Sequence, residues 1–335
     1  MDNTKFSYEE TMEHLSTLAN EALNLWHLPA GSKAHLINVS ENETFLVEAP
    51  DGFKSILRLH REDYHTERAI ACEHAWSRSL NAEGGVKTPD ILPGKSGSTI
   101  QSATSEALGQ KRYLAMFEFV EGSEPDQQDD LTGGFEELGE IAAKTHIHSI
   151  GWERPEPFER LVWDLGTVFG KDATWGNWRD GPSIGVQARE VLEEVETTVI
   201  DRLTRYGREA DRFGLIHADM RLANLLVTDG ETRLIDFDDC GLGWLMYDFA
   251  AGISFMEDDP RIPELKAAWL RGYRSVRSLS EEDENEIPTF IMMRRLALLA
   301  WIGSHSEVDI AKELAPTFAP VSEELGRNYL ASLTR

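Results

Sequence analysis

The sequence predicts an α+β chain in two lobes, a β-rich one followed by a larger, mostly helical one. Three observations carry the prediction. At 335 residues the chain is too long for one typical hydrophobic core. Strand-like runs cluster between residues 36 and 120, whereas apolar residues at helical spacing dominate beyond residue 261. The predicted boundary puts residues 1–119 in an N-terminal lobe and 120–335 in a C-terminal lobe. No internal repeat or low-complexity tract interrupts either.

From the N-terminus, Met12, Leu15, Leu18, Ala22 and Leu25 give Tyr8 to Trp26 the apolar stripe of an amphipathic helix. Leu36 to Val39, Thr44 to Glu48 and Lys54 to His60 read as strands, the last two joined through the turn signal Pro50-Asp51-Gly52. A helical pattern covers 66–80. A stretch rich in Pro, Gly and Ser runs from Thr88 to Lys111; its GKSGS, residues 94–98, lacks GxxxxGK spacing and reads as a hairpin tip. Arg112 to Val120 is a strand broken by Glu121-Gly122, and Phe135 to His148 an amphipathic helix. Its His146 and His148, two apart, point to different helix faces, which argues against a metal site. Trp163 to Trp178 reads as a glycine-containing loop region whose tryptophans either fill core or line a ligand site. Arg261 to Val276 and Ile287 to Ser304 are helices. In the second, Ile291, Leu298 and Ile302 form the core face and leave Arg294, Arg295, Trp301 and the following His305 for other faces.

The formal net charge of −26 argues against nucleic acid and anionic membranes as partners, since both need clustered Lys and Arg. No apolar run approaches the roughly 20 residues of a membrane span, and MDNTKFSYEE has neither the basic start nor the apolar core of a signal peptide. Cys72 and Cys240 are too few for a disulfide framework or a zinc site. A cytoplasmic protein is expected.

The chemistry concentrates in residues 215–239, LIHADMRLANLLVTDGETRLIDFDD. Leu215 and Ile216 lead into His217 and Asp219, and Asn224 follows five residues after that Asp. Leu225 to Val227 is a short strand, Thr228-Asp229-Gly230-Glu231 a turn, and Arg233 to Phe237 a returning strand whose end presents Asp236. The hairpin would bring Asn224 and Asp236 together. Asp219 can then accept the proton of an attacking hydroxyl, while Asn224 and Asp236 offer hard oxygen ligands to Mg²⁺ on nucleotide phosphates. His217 fits a loop-orienting role better than that of the base; a satisfied core histidine is the competing reading.

The pattern HxDxxxxN followed by IDFDD and Tyr247-Asp248-Phe249-Ala250 resembles the aminoglycoside phosphotransferase and choline kinase family, relatives of the protein kinases. The order of elements matches over nearly the whole chain, with residues 215–250 the specific part. The resemblance implies a protein kinase-like fold. Its small lobe has an antiparallel sheet and binds nucleotide, and its larger helical lobe carries catalysis and the acceptor. It implies ATP and Mg²⁺ as cofactors, Asp219 as the catalytic base, Asn224 and Asp236 as metal ligands, and Asp248 as a buried acid bracing the catalytic loop. Asp239 matches a second family acid near the metal; Asp238 stands where many relatives have a small residue. Glu41-Asn42 matches an acidic-Asn element in the glycine-poor phosphate loop of relatives.

Arg58 stands where most relatives have a phosphate-contacting lysine, and an arginine fork must use a different geometry. Glu73 is its expected helix partner, with Glu67 the competitor. Glu118, Phe119 and Val120 match the segment whose backbone meets adenine. Arg294, Arg295, Trp301 and His305 lie on the C-terminal helices that complete the acceptor site in relatives, and Asp238 and Asp239 favour an amine-bearing acceptor. The implied reaction is phosphorylation of a hydroxyl on a small metabolite or aminoglycoside-like compound. Two other classes stand beside it: a non-catalytic nucleotide-binding pseudokinase, for which Arg58 speaks, and a metal-dependent hydrolase using His217, Asp219, Asp236 and Asp239. The resemblance does not select the acceptor, and oligomeric state is not readable.

Overall fold

The computed structural model describes residues 6–125, 131–228 and 230–334, so MDNTK at the N-terminus and Asp229 of the anticipated turn lie outside it. By its internal contacts the chain divides into two units: residues 1–79, 88–121 and 154–159 form one, and 80–87, 122–153 and 160–335 the other.

The first unit is a helix packed on an antiparallel sheet. Helix α1 (Tyr8–Ala22) starts at a capping box in which the Ser7 side chain accepts from Glu10 N–H and the Glu10 carboxylate accepts from Ser7 N–H at 2.7 Å. It ends sooner than its stripe suggests. A 3₁₀ turn, Leu23–Leu25, redirects the chain so that Trp26 fills the core and donates from Nε1 to the Leu92 carbonyl. Strands β1 (Lys33–Val39), β2 (Glu43–Glu48), β3 (Lys54–Leu59), β4 (Ile91–Leu92), β5 (Ile100–Ser105) and β6 (Gln110–Glu118) follow in the order β1-β2-β3-β6-β4, with β5 also on β6. Alternation along β2 and β3 sends Phe45, Val47, Leu57 and Leu59 onto Leu15, Leu18 and Ala19 of α1. Each such burial contributes about 1.5–3 kcal/mol, which makes Leu57→Ala a damaging change. At the β2–β3 turn Gly52 takes φ +92°, the left-handed conformation that a glycine adopts freely. GKSGS closes as a hairpin tip through Gly94 N–H to Ser98 O. Helix α2 (Glu67–Ser79) completes the unit.

The second unit is mostly helical: α3 (Leu131–Gly151), the short α4 (Leu165–Phe169), α5 (Val186–Tyr206), α6 (Tyr247–Gly252), α7 (Ile262–Val276), α8 (Glu281–Ser304), α9 (Asp309–Leu314) and α10 (Phe318–Ser332). Helices α3 and α7 cross with their backbones almost touching: a Cβ on Gly139 would lie 2.0 Å from the Trp269 carbonyl oxygen, and one on Gly272 1.8 Å from that of Glu136. That closeness lets His146 of α3 reach Tyr273 of α7. Within the expected loop 163–178, the Asp164 side chain caps α4. Helix α8 begins at a Ser280–Asp283 capping box and is buried on every side from Met292 to Ile302. The separation into a core face and other faces therefore fails: Ile291 is only half-buried while Arg294, Arg295 and Trp301 are buried. Helix α8 is long and apolar enough to cross a membrane by length and composition, but 78% of its most apolar stretch is buried inside the protein, as in a core helix.

Two small sheets carry the motif. Strands β7 (Leu161–Trp163), β8 (Phe213–Ile216) and β11 (Gly241–Trp244) pair in the order β7-β11-β8, and β9 (Leu225–Thr228) pairs with β10 (Glu231–Leu234) as the expected hairpin. The returning strand is shorter than expected. It stops at Leu234; Ile235 N–H still meets the Asn224 carbonyl at 2.9 Å in the same register, and Asp236 beyond it takes φ +60°, outside the extended conformation.

Candidate active site

The loop after β8 is held from beneath by one carboxylate. Asp248, at the start of α6 and 1% exposed, accepts from Ala218 N–H at 2.7 Å and from His217 N–H at 3.3 Å. Ala218 has φ +64°, a conformation costly for a residue with a Cβ, and the two bonds from Asp248 hold it there. Asp248 is itself oriented by a buried chain. His146 Nε2 lies 2.9 Å from its Oδ2, His146 Nδ1 lies 3.0 Å from the Tyr273 hydroxyl, and Arg277 donates to that hydroxyl at 2.9 Å. Since Arg277 occupies the Tyr273 oxygen as an acceptor, the phenol proton goes to His146 Nδ1 and the Nε2 proton to Asp248. Every proton in the chain has one direction.

His217 ties the two arms of the motif. Its Nε2–H donates to the Ile235 carbonyl at 3.0 Å and its Nδ1 accepts from Asp219 N–H at 3.3 Å, the pattern of a neutral ring that spaces the Asp219 loop from the Asp236 segment. The ring is fully buried and faces the protein, which suits orientation rather than proton exchange with a substrate.

Asp219 sits among donors. Arg221 forks onto it, Nε to Oδ1 at 3.0 Å and Nη2 to Oδ2 at 3.2 Å; Asn224 Nδ2 reaches Oδ2 at 2.8 Å; Arg294 Nη2 stands 3.5 Å from Oδ1. Burial alone would raise the Asp219 pKa, but Arg221 and Arg294 together outweigh it and hold the carboxyl below the usual aspartate range. The group is ionised at neutral pH. With its Nδ2 engaged by Asp219, Asn224 has its amide oxygen left for a cation. Asp236 is exposed and follows the residue bonded to the Asn224 carbonyl, so the two oxygen donors flank the base of the hairpin. One amide and one carboxylate suit a hard divalent ion that takes its other ligands from phosphates and water. Among the described residues no three His, Cys, Asp or Glu side chains cluster to hold a metal by themselves, which speaks against the hydrolase.

The remaining candidates separate. Asp238 is buried and Asp239 half-buried; their backbone carbonyls are fixed by Arg160 Nη2 and by Trp163 Nε1, the latter at 2.8 Å. Arg294 donates from Nε to Ser254 at 3.0 Å and places its guanidinium 5.0 Å from the Trp175 ring and 5.8 Å from that of Tyr247. Arg295, one residue on, turns elsewhere, to Glu257, Ser322 and the Phe318 carbonyl. Trp301 stacks on His305 with ring centres 4.9 Å apart and also meets Phe255. Neither Arg295, Trp301 nor His305 has a contact with Asp219 among those seen.

In the first unit, Arg58 of β3 donates to Glu73 of α2 at 2.7 Å and lies 5.1 Å from the Phe117 ring centre. Glu67, the competing partner, is exposed at the start of α2. A second buried pair, Arg112 with Glu43, anchors the end of the Ser40–Glu43 loop, where Asn42 also accepts from Arg61 N–H. Glu118 and Phe119 are half-buried and Val120 buried, with Glu118 N–H bonded to the Asp90 carbonyl. The sequence assigns no role at the site to Arg221, His146 or Tyr273, though His146 stands out as one of a histidine pair. Arg221 left a signal too, a cation two residues after the motif aspartate.

Comparison with known proteins identifies the family. A phosphotransferase enzyme family model matches residues 36–279, and the chain belongs to that family. It is a small-molecule kinase with an α+β, protein kinase-like fold. A solved microcompartment-associated aminopropanol kinase is 39% identical, with a TM-score of 0.87 over 94% of this chain and 98% of that one. Homoserine kinase of Gluconobacter oxydans (strain 621H) is 26% identical over 288 residues, 82% of this chain and 84% of its own length. An amicoumacin kinase solved in complex with AMP-PNP, Ca²⁺ and Ami shares the fold at 19% identity and a TM-score of 0.76, covering 95% of this chain and 96% of that one.

Proposed function

We propose that the protein transfers the γ-phosphoryl group of ATP, with Mg²⁺, to a hydroxyl of a small, amine-bearing acceptor. The observation that carries this reading is Asp219, an ionised carboxylate held by Arg221, Arg294 and Asn224 at the tip of a loop braced by Asp248. A carboxylate with a depressed pKa is a weak base, so its first duty is to orient the acceptor O–H. As the oxygen bonds to phosphorus and the bond to the bridging oxygen of ADP breaks, the proton becomes acidic and passes to Asp219. Such late transfer suits the loose transition state of phosphoryl transfer.

Asn224 and Asp236 would hold a divalent ion, whose chemistry when bound is to neutralise charge on the nucleotide phosphates. Arg58, fixed by Glu73, supplies a rigid cation of the kind that meets phosphate oxygens, with Glu118 to Val120 the backbone for adenine. The aminopropanol and homoserine kinases among its relatives, and the acids Asp238 and Asp239, support an acceptor that carries an amine. Two free, buried cysteines fit a reducing, cytoplasmic setting.

The test is ATP consumption with Mg²⁺ against a panel of amino alcohols, hydroxy amino acids and aminoglycosides. Turnover is expected only with an acceptor, and Asp219→Asn should lower kcat by about 10²–10⁴ while sparing nucleotide binding. Nucleotide binding without acceptor-dependent turnover across the panel would instead make this a binding module.

A further inference from the structure

Three buried hydrogen-bond donors beside Asp219 lack an acceptor at normal hydrogen-bond geometry. Arg294 is 3% exposed and Tyr247 is fully buried; Trp175 is 7% exposed. Arg294 spends Nε on Ser254 and Nη2 on Asp219, and its guanidinium interacts loosely with the Tyr247 hydroxyl; no acceptor at normal length and direction meets Nη1, the Tyr247 hydroxyl or Trp175 Nε1. The guanidinium faces both rings, and Trp163 packs on them in turn, 4.8 Å from Trp175 and 6.2 Å from Tyr247, so the three donors belong to one cluster in the second unit. Leaving a buried donor unmatched costs about 1–3 kcal/mol, and more for a charged one. Three together mark a place built for something else.

The missing group can be described from its hosts. Arg and Trp only donate, and burial keeps the Tyr247 phenol protonated, so what they lack is an acceptor. A guanidinium selects an anionic oxygen group with two or more lone-pair directions. Its place is equally constrained. Arg294 Nη2 stands 3.5 Å from the carboxylate that orients the reacting hydroxyl, so an oxygen group on Nη1 lies within a few atoms of that hydroxyl.

We propose that Arg294, Tyr247 and Trp175 form a receiving site for an anionic oxygen group next to the reacting hydroxyl. Two sources share that chemistry: a carboxylate on the acceptor, or the phosphoryl group as it arrives. The inference rests on the kinase reading for what passes Asp219, but its donors are a separate set, testable by binding alone. It also gives Arg294 a direct contact with substrate in addition to its hold on Asp219.

Matched ligands distinguish the sources. Ethanolamine and serine differ by a carboxylate, as do 1-amino-2-propanol and threonine; phosphoethanolamine and phosphothreonine add the phosphoryl group. Calorimetric titration of the intact wild-type protein, Arg294→Gln and Tyr247→Phe with all six decides the matter. If the acceptor carboxylate is received, Arg294→Gln weakens serine or threonine about tenfold or more, the effect of one hydrogen bond to a charged group, and leaves the amino alcohols within about twofold. If the phosphoryl group is received, the phosphorylated compounds weaken by that factor and their alcohols do not. Tyr247→Phe should follow with a smaller loss, which keeps the proposal open to disproof should Arg294→Gln not fold. Equal effects on all six ligands, no effect on any, or no wild-type binding of any would overturn it, the first two leaving Arg294 as a brace for Asp219 or a host for buried water. Selective binding that depends on Arg294, with no acceptor-dependent ATP consumption, would keep this site and refute the kinase reading.

Discussion

Arg294 and Arg295 are neighbours on α8 and about equally buried, yet they live in different chemistry. Arg295 is closed: Nε donates to Ser322, Nη1 to Glu257, Nη2 to the Phe318 carbonyl, and its guanidinium lies 3.4 Å from the Phe318 ring centre. Burial raises the Glu257 pKa and Arg295 opposes the rise, which is the relation of a structural ion pair. Arg294 is open, with one nitrogen unmatched and its carboxylate shared with Arg221. Burial alone therefore says little about why an arginine is inside a protein. Completeness of its hydrogen bonds separates one that holds the fold from one that waits for a ligand.

The comparison breaks first on stability. Arg295→Met strands the buried Glu257 carboxylate and should cost about 3–5 kcal/mol in a thermal or urea melt. Arg294→Met leaves Asp219 with Arg221 and Asn224, removes an unmatched donor, and should change stability by less than about 1 kcal/mol. Equal losses would mean that both arginines serve the fold. A smaller effect concerns the metal side of the motif: Asp236→Ala should weaken Mg-nucleotide binding about tenfold, and calorimetry showing unchanged affinity would remove Asp236 from the metal. Smallest is the effect of leaving Asp219 with Arg294 as its one arginine. Because the folded pKa of Asp219 is depressed, the ionised base and the stability it contributes persist above the usual aspartate value and are lost as pH falls through the lowered one. Arg221→Gln should move the acid limb of kcat/KM to higher pH. A limb that stays fixed would assign the depression to Arg294 and His217.

Much of this was legible in the sequence, and unevenly. Strand alternation and the Asp51-Gly52 turn placed β2 and β3 because both are local signals. The motif spacing led to Asp219, Asn224 and the hairpin, since a short turn leaves the chain little choice. The fork of Arg58 favoured Glu73 over Glu67 once β3 and α2 were packed, which no periodicity encodes. The apolar run puts Asp236 on a strand that ends two residues earlier, because the left-handed backbone at Asp236 breaks the extended conformation and leaves no periodicity to read. The faces of α8 were misjudged for a simpler reason: a helix buried all round has no polar face to find. The pairing of His146 with Tyr273 is not readable, as it depends on the glycines that let α3 and α7 approach.

The left-handed bend at Ala218 has a consequence for assembly. An alanine seldom visits that conformation in an isolated peptide, and the acid that fixes it lies 30 residues further along the chain. A ribosome-bound fragment ending short of Asp248 thus has the whole HxDxxxxN segment but lacks the anchor for its working shape. Competence is gained late in synthesis, once α6 has emerged and docked.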